Sequence, residues 1–245
     1  MIELPVITID TDWAPDFAIN EMAAPLLKGG VKATWFITHN SKAIEKLSDY
    51  PELFELGIHP NFLPNSTQGK NPTEILSFLT KLAPNARSMR THSLVQSTPL
   101  LRQIMAETRI INDVSLYLHH CPDLRGHRFY INKKYLNRYP YFWEDDMEME
   151  TPDPCWETKP LLELGQGLKI FNFHPMYFYL NCTNLNQGYN ELKQGRWRLH
   201  QVPRMEADKF RRTGIGPQSM FNQLCSLLSS AGGGYHISDL AEMDH

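Results

Sequence analysis

Charged and ligand-forming side chains recur at the ends of the hydrophobic stretches that the sequence predicts to be strands. In chain order they are Asp10, Asp12, His59, Arg90, His92, Asp113 and His174. Neutral histidines and a carboxylate bind zinc and similar divalent ions. Such an ion lowers the pKa of a bound water and polarises a carbonyl group, while a second carboxylate acts as general base. The set therefore predicts a metal-dependent hydrolase of an amide or ester bond.

This prediction depends on the recurrence of these groups, because a single histidine at a strand end is more often a hydrogen-bonded structural residue. Other histidines lie in irregular or late sequence, where surface positions are expected: His119, His120, His127, His200, His236 and His245.

A parallel sheet would bring the groups together, since the carboxyl ends of its strands meet at one edge. Strands are predicted at 7–10, 31–38, 55–59, 88–93, 109–114 and 168–174, and helices at 16–28, 41–50, 73–82, 99–107 and 217–229. This alternation predicts an α/β fold. Residues 115–156 lack periodicity and are predicted to form a functional loop or an insertion, and 181–212 a polar excursion.

Composition narrows the class of protein. A chain of 245 residues with 42% hydrophobic and 21% charged residues predicts one globular domain over 1–245. A net charge of −3 without a basic run argues against nucleic acid as a partner. No signal peptide or membrane span is visible, so a cytoplasmic location is expected by default. The four well-separated cysteines are expected to be reduced, and a homo-oligomer is left open.

Several short motifs carry a resemblance to a known family. The run T-I-D-T-D at residues 8–12 resembles the first motif of the NodB-type polysaccharide deacetylases, carbohydrate esterase family four. Residues 57–61, 89–93 and 173–175 resemble the later motifs in the same order. With Y-F-W-E-D-D at 141–146, the chain resembles in particular the divergent branch named after WbmS, a protein associated with bacterial O-antigen assembly.

The resemblance implies a distorted, incomplete (β/α) barrel with a metal at its mouth. It implies removal of an acetyl or formyl group from an amino sugar of bacterial surface polysaccharide. By motif position Asp10 is the catalytic base, Asp12 and His59 are metal ligands, His174 is the acid, and Arg90 orients the base. Zinc is the expected divalent ion, with nickel, cobalt or iron as alternatives.

The chain departs from the family pattern at two positions. Thr11 separates the two aspartates, so either Asp12 reaches the ion from a bulged turn or the two exchange roles, with Asp16 a further candidate. Leu63 stands where the family has its second metal-binding histidine. His92 is the preferred replacement, because it lies two residues after Arg90 on a predicted strand and would face the same side; Asn61 is the alternative.

Substrate-binding candidates are Trp143, Asp145 and Asn61. The aromatic residues 141–143 suit either burial in the core or stacking on a sugar, and both alternatives remain open. Two other functions are compatible with the pattern. One is hydrolysis of another small amide or cyclic amide; the other is a catalytically inactive carbohydrate-binding relative, suggested by Leu63.

Overall fold

The computed structural model describes residues 5–186, 188–195 and 197–243. In these ranges the strands are β1 (Val6–Asp10), β2 (Ala33–Ile37), β3 (Phe54–Ile58), β4 (Ser88–Met89), β5 (Asn112–Asp113), β6 (His127–Ile131), β7 (Lys134–Arg138), β8 (Trp143–Glu144) and β9 (Ile170–Phe173). They form one sheet in the order β6-β7-β5-β4-β3-β2-β1-β9-β8. Neighbouring strands are parallel except in the β6–β7 hairpin.

Helices cover the sheet. They are α1 (Asp16–Gly29), α2 (Lys42–Leu47), α3 (Pro72–Leu82), α4 (Thr98–Glu107), α5 (Asp145–Met149), α6 (Thr158–Leu162), α7 (Pro175–Leu180), α8 (Tyr189–Lys193), α9 (Arg204–Asp208), α10 (Pro217–Ser230) and α11 (Ile237–Met243). The mixed sheet curls into a half-barrel, which confirms the predicted α/β fold of the distorted, incomplete (β/α) type.

Local sequence explains the central elements. Every residue of β1 is buried, as expected for a parallel strand covered on both faces. Helix α1 follows Pro15 and is capped at its carboxyl end by Gly30, whose φ of 61° is the left-handed conformation that glycine adopts without a steric penalty. Prolines at 60 and 175 limit β3 and β9 at their carboxyl ends, since proline cannot donate to the sheet.

The strand predicted at 88–93 is wrong in extent. Strand β4 comprises only Ser88–Met89, and His92–Leu94 is a 3-10 turn in which Ser93 has a φ of 52°. The backbone nevertheless stays beside the end of β3, because the N–H of Arg90 donates to Ile58 O at 3.2 Å and that of His92 to Pro60 O at 3.0 Å.

Residues 115–156 contain more regular structure than the sequence predicted. The β6–β7 hairpin turns at Asn132 and Lys133, whose φ values of 52° and 61° are those that a two-residue hairpin loop requires. Strand β8 and helix α5 follow at the opposite edge of the sheet.

The four cysteines, Cys121, Cys155, Cys182 and Cys225, are free thiols, as expected from the sequence. Across the described ranges, no helix combines the length and the apolar character needed to cross a bilayer.

Candidate active site

The turn after β1 directs both aspartates of the first motif toward the carboxyl edge of the sheet. Thr11 continues the strand by donating its N–H to Phe36 O at 3.0 Å. Asp12 and Trp13 then adopt left-handed conformations with φ of 37° and 54°. The N–H of Trp13 donates to Thr38 Oγ1 at 3.0 Å, which fixes the turn. Left-handed backbone at non-glycine residues is costly and is concentrated at functional sites.

Asp12, His59 and His92 meet at this edge and form the candidate metal site. Asp12 Oδ1 lies 3.2 Å from His59 Nε2 and 3.2 Å from His92 Nδ1. The two ring nitrogens are 3.3 Å apart, so the three atoms form a nearly equilateral triangle. Ligand atoms of a tetrahedral zinc with bonds of about 2.0–2.1 Å are separated by about 3.3 Å. The spacing and the chemistry of these donors therefore fit a zinc-like ion.

The surroundings of Asp12 Oδ1 also fit a bound cation. The atom is buried and has no hydrogen bond of acceptable geometry, although two imidazole nitrogens lie close to it. A buried carboxylate oxygen without a hydrogen bond is unfavourable unless a cation compensates it.

The pKa values of Asp12 and His92 are shifted by the contact between the two side chains. Burial alone would raise the pKa of Asp12, but the imidazoles of His59 and His92 outweigh burial and hold this pKa well below its ordinary value. Burial likewise opposes a charge on His92, yet the adjacent Asp12 carboxylate raises the pKa of that histidine. Without an ion, the carboxylate form of Asp12 is thus stabilised by the imidazoles beside it.

Asp10 is held by Arg90, whose guanidinium is almost completely buried. Arg90 Nη1 donates to Asp10 Oδ1 at 3.0 Å, while its Nη2 donates to Thr8 Oγ1 at 2.9 Å and its Nε to Val114 O at 3.1 Å. Asp10 Oδ2 accepts a hydrogen bond from Asn172 Nδ2 at 3.0 Å. Each carboxylate oxygen of Asp10 therefore accepts a hydrogen bond from a different side chain, which fixes the orientation of the carboxylate.

His174 follows β9 and immediately precedes α7. Its Nδ1 lies 2.6 Å from Asp145 Oδ1, and its Nε2 lies 3.7 Å from Asp12 Oδ2 and 4.0 Å from Asp10 Oδ2. Burial opposes the charged form, but the Asp145 carboxylate outweighs burial and raises the pKa of His174 well above its ordinary value. A protonated imidazole beside a carboxylate is suited to donating a proton.

Sequence reasoning missed two buried polar residues of this site. Asn172 Nδ2 also donates to Glu144 Oε1 at 2.8 Å, and Tyr141 Oη donates to Glu144 Oε2 at 2.9 Å. Burial raises the pKa of Glu144 to about 8. A single asparagine inside the apolar run I-F-N-F was the available signal, because a polar residue in a buried strand needs a partner.

Two of the three predicted substrate-binding residues are fully buried. Trp143 is fully buried, with its ring between Trp156 and Phe173, so it has no free face on which a sugar could stack. Asp145 is also fully buried, and it hydrogen-bonds to His174 and not toward solvent. Asn61 is half-buried, and its Oδ1 accepts the N–H of Leu63 at 2.9 Å. These positions correct the expectation for Trp143 and Asp145.

Asp16 and Asp113, the remaining carboxylates singled out from the sequence, contact other groups. Asp16 Oδ1 accepts the N–H of Ala43 at 3.4 Å, at the start of α2. Asp113 forms an ion pair with Arg138 at 2.8 Å. Leu63 is 39% exposed on the loop after β3.

A narrow cleft opens beside the site. Its lining includes Asp12, His174, Tyr177, Tyr189 and Leu199. The ring of Tyr177 packs edge-on against His174 and Tyr189, with centroid separations of 5.2 Å and 4.5 Å.

Fold and site together are those of a polysaccharide deacetylase, a hydrolase of carbon–nitrogen bonds other than peptide bonds. More narrowly, the chain belongs to the WbmS-like family of polysaccharide deacetylases, whose model matches residues 7–193.

Solved structures agree with this assignment. WbmS from Bordetella bronchiseptica, to which a role as polysaccharide deacetylase in O-antigen biosynthesis has been attributed, is 30% identical over 91% of this chain and 89% of its own, with a TM-score of 0.77. The Xyl-CE4 domain of a multidomain xylanase from the hindgut metagenome of Trinervitermes trinervoides shares the fold, with a TM-score of 0.52 and 12% identity over 100% of this chain and 92% of its own. No curated protein matches the chain.

Proposed function

We propose that this deacetylase is metal-dependent and removes an acetyl or formyl group from the nitrogen of an amino sugar used in bacterial surface polysaccharide or O-antigen. The observation that carries the proposal is the triangle of Asp12 Oδ1, His59 Nε2 and His92 Nδ1, with sides of 3.2 to 3.3 Å. His92 thereby stands in for the ligand that Leu63 cannot provide.

Asp12, His59 and His92 would hold the ion. A divalent ion there supplies a Lewis acid for the amide carbonyl and lowers the pKa of the attacking water. Zinc is the first candidate for a set of two imidazoles and one carboxylate, with nickel, cobalt and iron as alternatives.

Asp10 and His174 carry out the two proton transfers of the reaction. Asp10, oriented by Arg90 and Asn172, accepts a proton from the attacking water. The water oxygen forms a bond to the acyl carbon, and His174 donates its proton to the nitrogen as the carbon–nitrogen bond breaks. The products are a carboxylic acid, which ionises, and a free amine. Asp10 Oδ2 lies 4.0 Å from His174 Nε2, so the proton can return to the histidine through one water.

Support for a saccharide as substrate comes from the relatives and not from the cleft. Tyr177 and Tyr189 line the cleft beside Asp12 and His174, but both rings are almost completely buried against their neighbours. The role attributed to the Bordetella relative favours an O-antigen sugar over other amides.

Two alternatives keep the same fold. Hydrolysis of another small amide or a cyclic amide needs only the ion, Asp10 and His174. An inactive carbohydrate-binding relative is suggested by Leu63, but the compensating position of His92 disfavours it.

The test is an assay on the full chain loaded with zinc, using N-acetyl and N-formyl amino sugars, both free and nucleotide-linked. We expect equimolar release of acetate or formate and free amine, lost in Asp12→Asn and in His174→Gln but retained in the exposed-site control His127→Gln. Hydrolysis of a cyclic amide with no turnover of any amino sugar would favour the first alternative. Saccharide binding without turnover would favour the second.

A further inference from the structure

A second group of metal-ligating side chains lies at the far end of helix α5 from Asp145. Glu148 is fully buried, and its Oε2 lies 3.1 Å from His119 Nε2 and 3.0 Å from His120 Nε2. Its other oxygen, Oε1, accepts the N–H of Cys155 at 2.6 Å. One carboxylate oxygen thus faces two imidazole nitrogens.

The backbone explains how two consecutive histidines face the same way. His120 has a φ of 49°, which turns its ring to the side of His119, and the two ring centroids are 3.7 Å apart. The loop is held to the segment before β8, because Leu118 N–H donates to Tyr141 O at 3.0 Å and His120 N–H donates to Phe142 O at 3.1 Å.

We propose that His119, His120 and Glu148 form a second site for a zinc-like divalent cation. Two imidazoles and one carboxylate are a common zinc donor set, and their spacing of 3.0 to 3.1 Å from Oε2 is close to the separation of about 3.3 Å between ligands of a tetrahedral ion. The histidine side chains are 36% and 25% exposed, so the ion has a path from solvent and room for a water ligand.

A hydrogen bond to Glu148 accounts for the position of His119 but not for that of His120. His119 Nε2 is within hydrogen-bonding geometry of Glu148. His120 Nε2 is a buried atom with no hydrogen bond, although it lies 3.0 Å from the same oxygen. A cation bound by both nitrogens and the carboxylate would satisfy all three atoms at once.

The position of Glu148 on α5 gives the second site a structural role. Glu148 and Asp145 are three residues apart on α5 and therefore lie on neighbouring positions of one helix face. An ion bound by Glu148 would tie the loop of His119 and His120 to the helix that carries Asp145, the partner of His174. The site uses none of the three residues of the proposed catalytic metal site, so the inference does not depend on the proposed function.

The test counts zinc bound to the full chain after removal of metal by EDTA. We expect two equivalents of zinc for the wild type, one for His119→Gln/His120→Gln, one for His59→Gln/His92→Gln, and two for the control His127→Gln. Folding of each variant is checked in EDTA by circular dichroism, and addition of zinc should raise the Tm of the first variant less than that of the wild type. Cobalt replacing zinc should show two separable absorption signals, one lost in each double variant.

The outcomes separate the two proposals. If His119→Gln/His120→Gln binds as much zinc as the wild type, the second site is overturned. If the wild type binds a single equivalent and only this variant loses it, the second site stands and the catalytic metal site fails.

Discussion

His174 Nδ1 lies 2.6 Å from Asp145 Oδ1, and the second oxygen of Asp145 accepts the backbone N–H of the same histidine at 2.8 Å. The carboxylate thus fixes the ring by two contacts to one residue and leaves Nε2 directed toward Asp12. Because Asp145 is the first residue of α5 and His174 follows β9, the pairing of β8 with β9 sets this contact.

Asp145→Asn should remove the negative charge that raises the pKa of His174. A general acid must be protonated to act, so the alkaline limb of the pH profile of kcat should move to lower pH in the variant. We expect kcat to fall by about 100-fold, within the range that general acid catalysis contributes. The matched control is Glu150→Gln, an exposed position at the end of α5, which should leave the profile unchanged. An alkaline limb that does not move in Asp145→Asn would contradict the role of this pair.

Metal affinity at the proposed catalytic site should rise with pH. Asp12 raises the pKa of His92, and the protonated ring cannot bind an ion, so a proton competes with the metal until the pH passes this raised pKa. Zinc titrations between about pH 6 and about pH 8 should show increasing affinity and proton release. The His119→Gln/His120→Gln background isolates this site. An affinity that is constant over the range would count against His92 as a ligand.

Arg90→Met should destabilise the fold strongly, because Asp10 would remain buried without its cationic partner. Breaking a buried ion pair by removing one member costs about 3–5 kcal/mol. Urea unfolding of metal-free protein measures this change, and Arg90→Met/Asp10→Asn should recover part of it. The control Arg87→Met alters an exposed arginine of the same segment and should change stability by less than about 0.5 kcal/mol. An equal stability of the single and double variants at position 90 would mean that Asp10 does not depend on this charge.

Glu144→Gln should change how stability depends on pH. Burial raises the pKa of Glu144 from 4.5 to about 8, so within this window the folded protein holds a proton that the unfolded chain has released. The contribution of Glu144 to the free energy of unfolding of the wild type therefore falls as the pH rises from 4.5 to about 8. Glutamine is always neutral, so the variant should lack this contribution and gain stability relative to the wild type as the pH rises. Urea unfolding of the metal-free proteins at several pH values, with Glu150→Gln as control, would refute this if the curves stayed parallel.

The parts of the site that could be predicted are those next to strand ends with a local signal. His59 and His174 each precede a proline that limits a buried strand. His92 was chosen because of a strand that does not extend to it. It still lies beside His59, because the N–H groups of Arg90 and His92 donate to the carbonyl groups of residues 58 and 60. The chain thus continues alongside the end of β3 as a strand would.

The rest depends on contacts between distant segments. Strand β8 has only two residues, which is too short for a periodic pattern, so nothing local indicated that Glu144 and Asp145 would stand beside β9. The burial of Trp143 and the pairing of Asp145 with His174 follow from this arrangement, which no local pattern in the sequence signals. The meeting of His119 and His120 with Glu148 depends on the left-handed backbone of His120, which the residue type does not specify.

Strand β1 lies between β2, the next strand along the chain, and β9, the last. During synthesis, one edge of this fully buried apolar strand therefore has no partner until residues 170–173 have been made. Open edges of apolar strands pair readily with other chains. Chains interrupted before β9 lack His174 and leave this edge of β1 without its partner, so we expect them to associate with other chains more readily than the full chain.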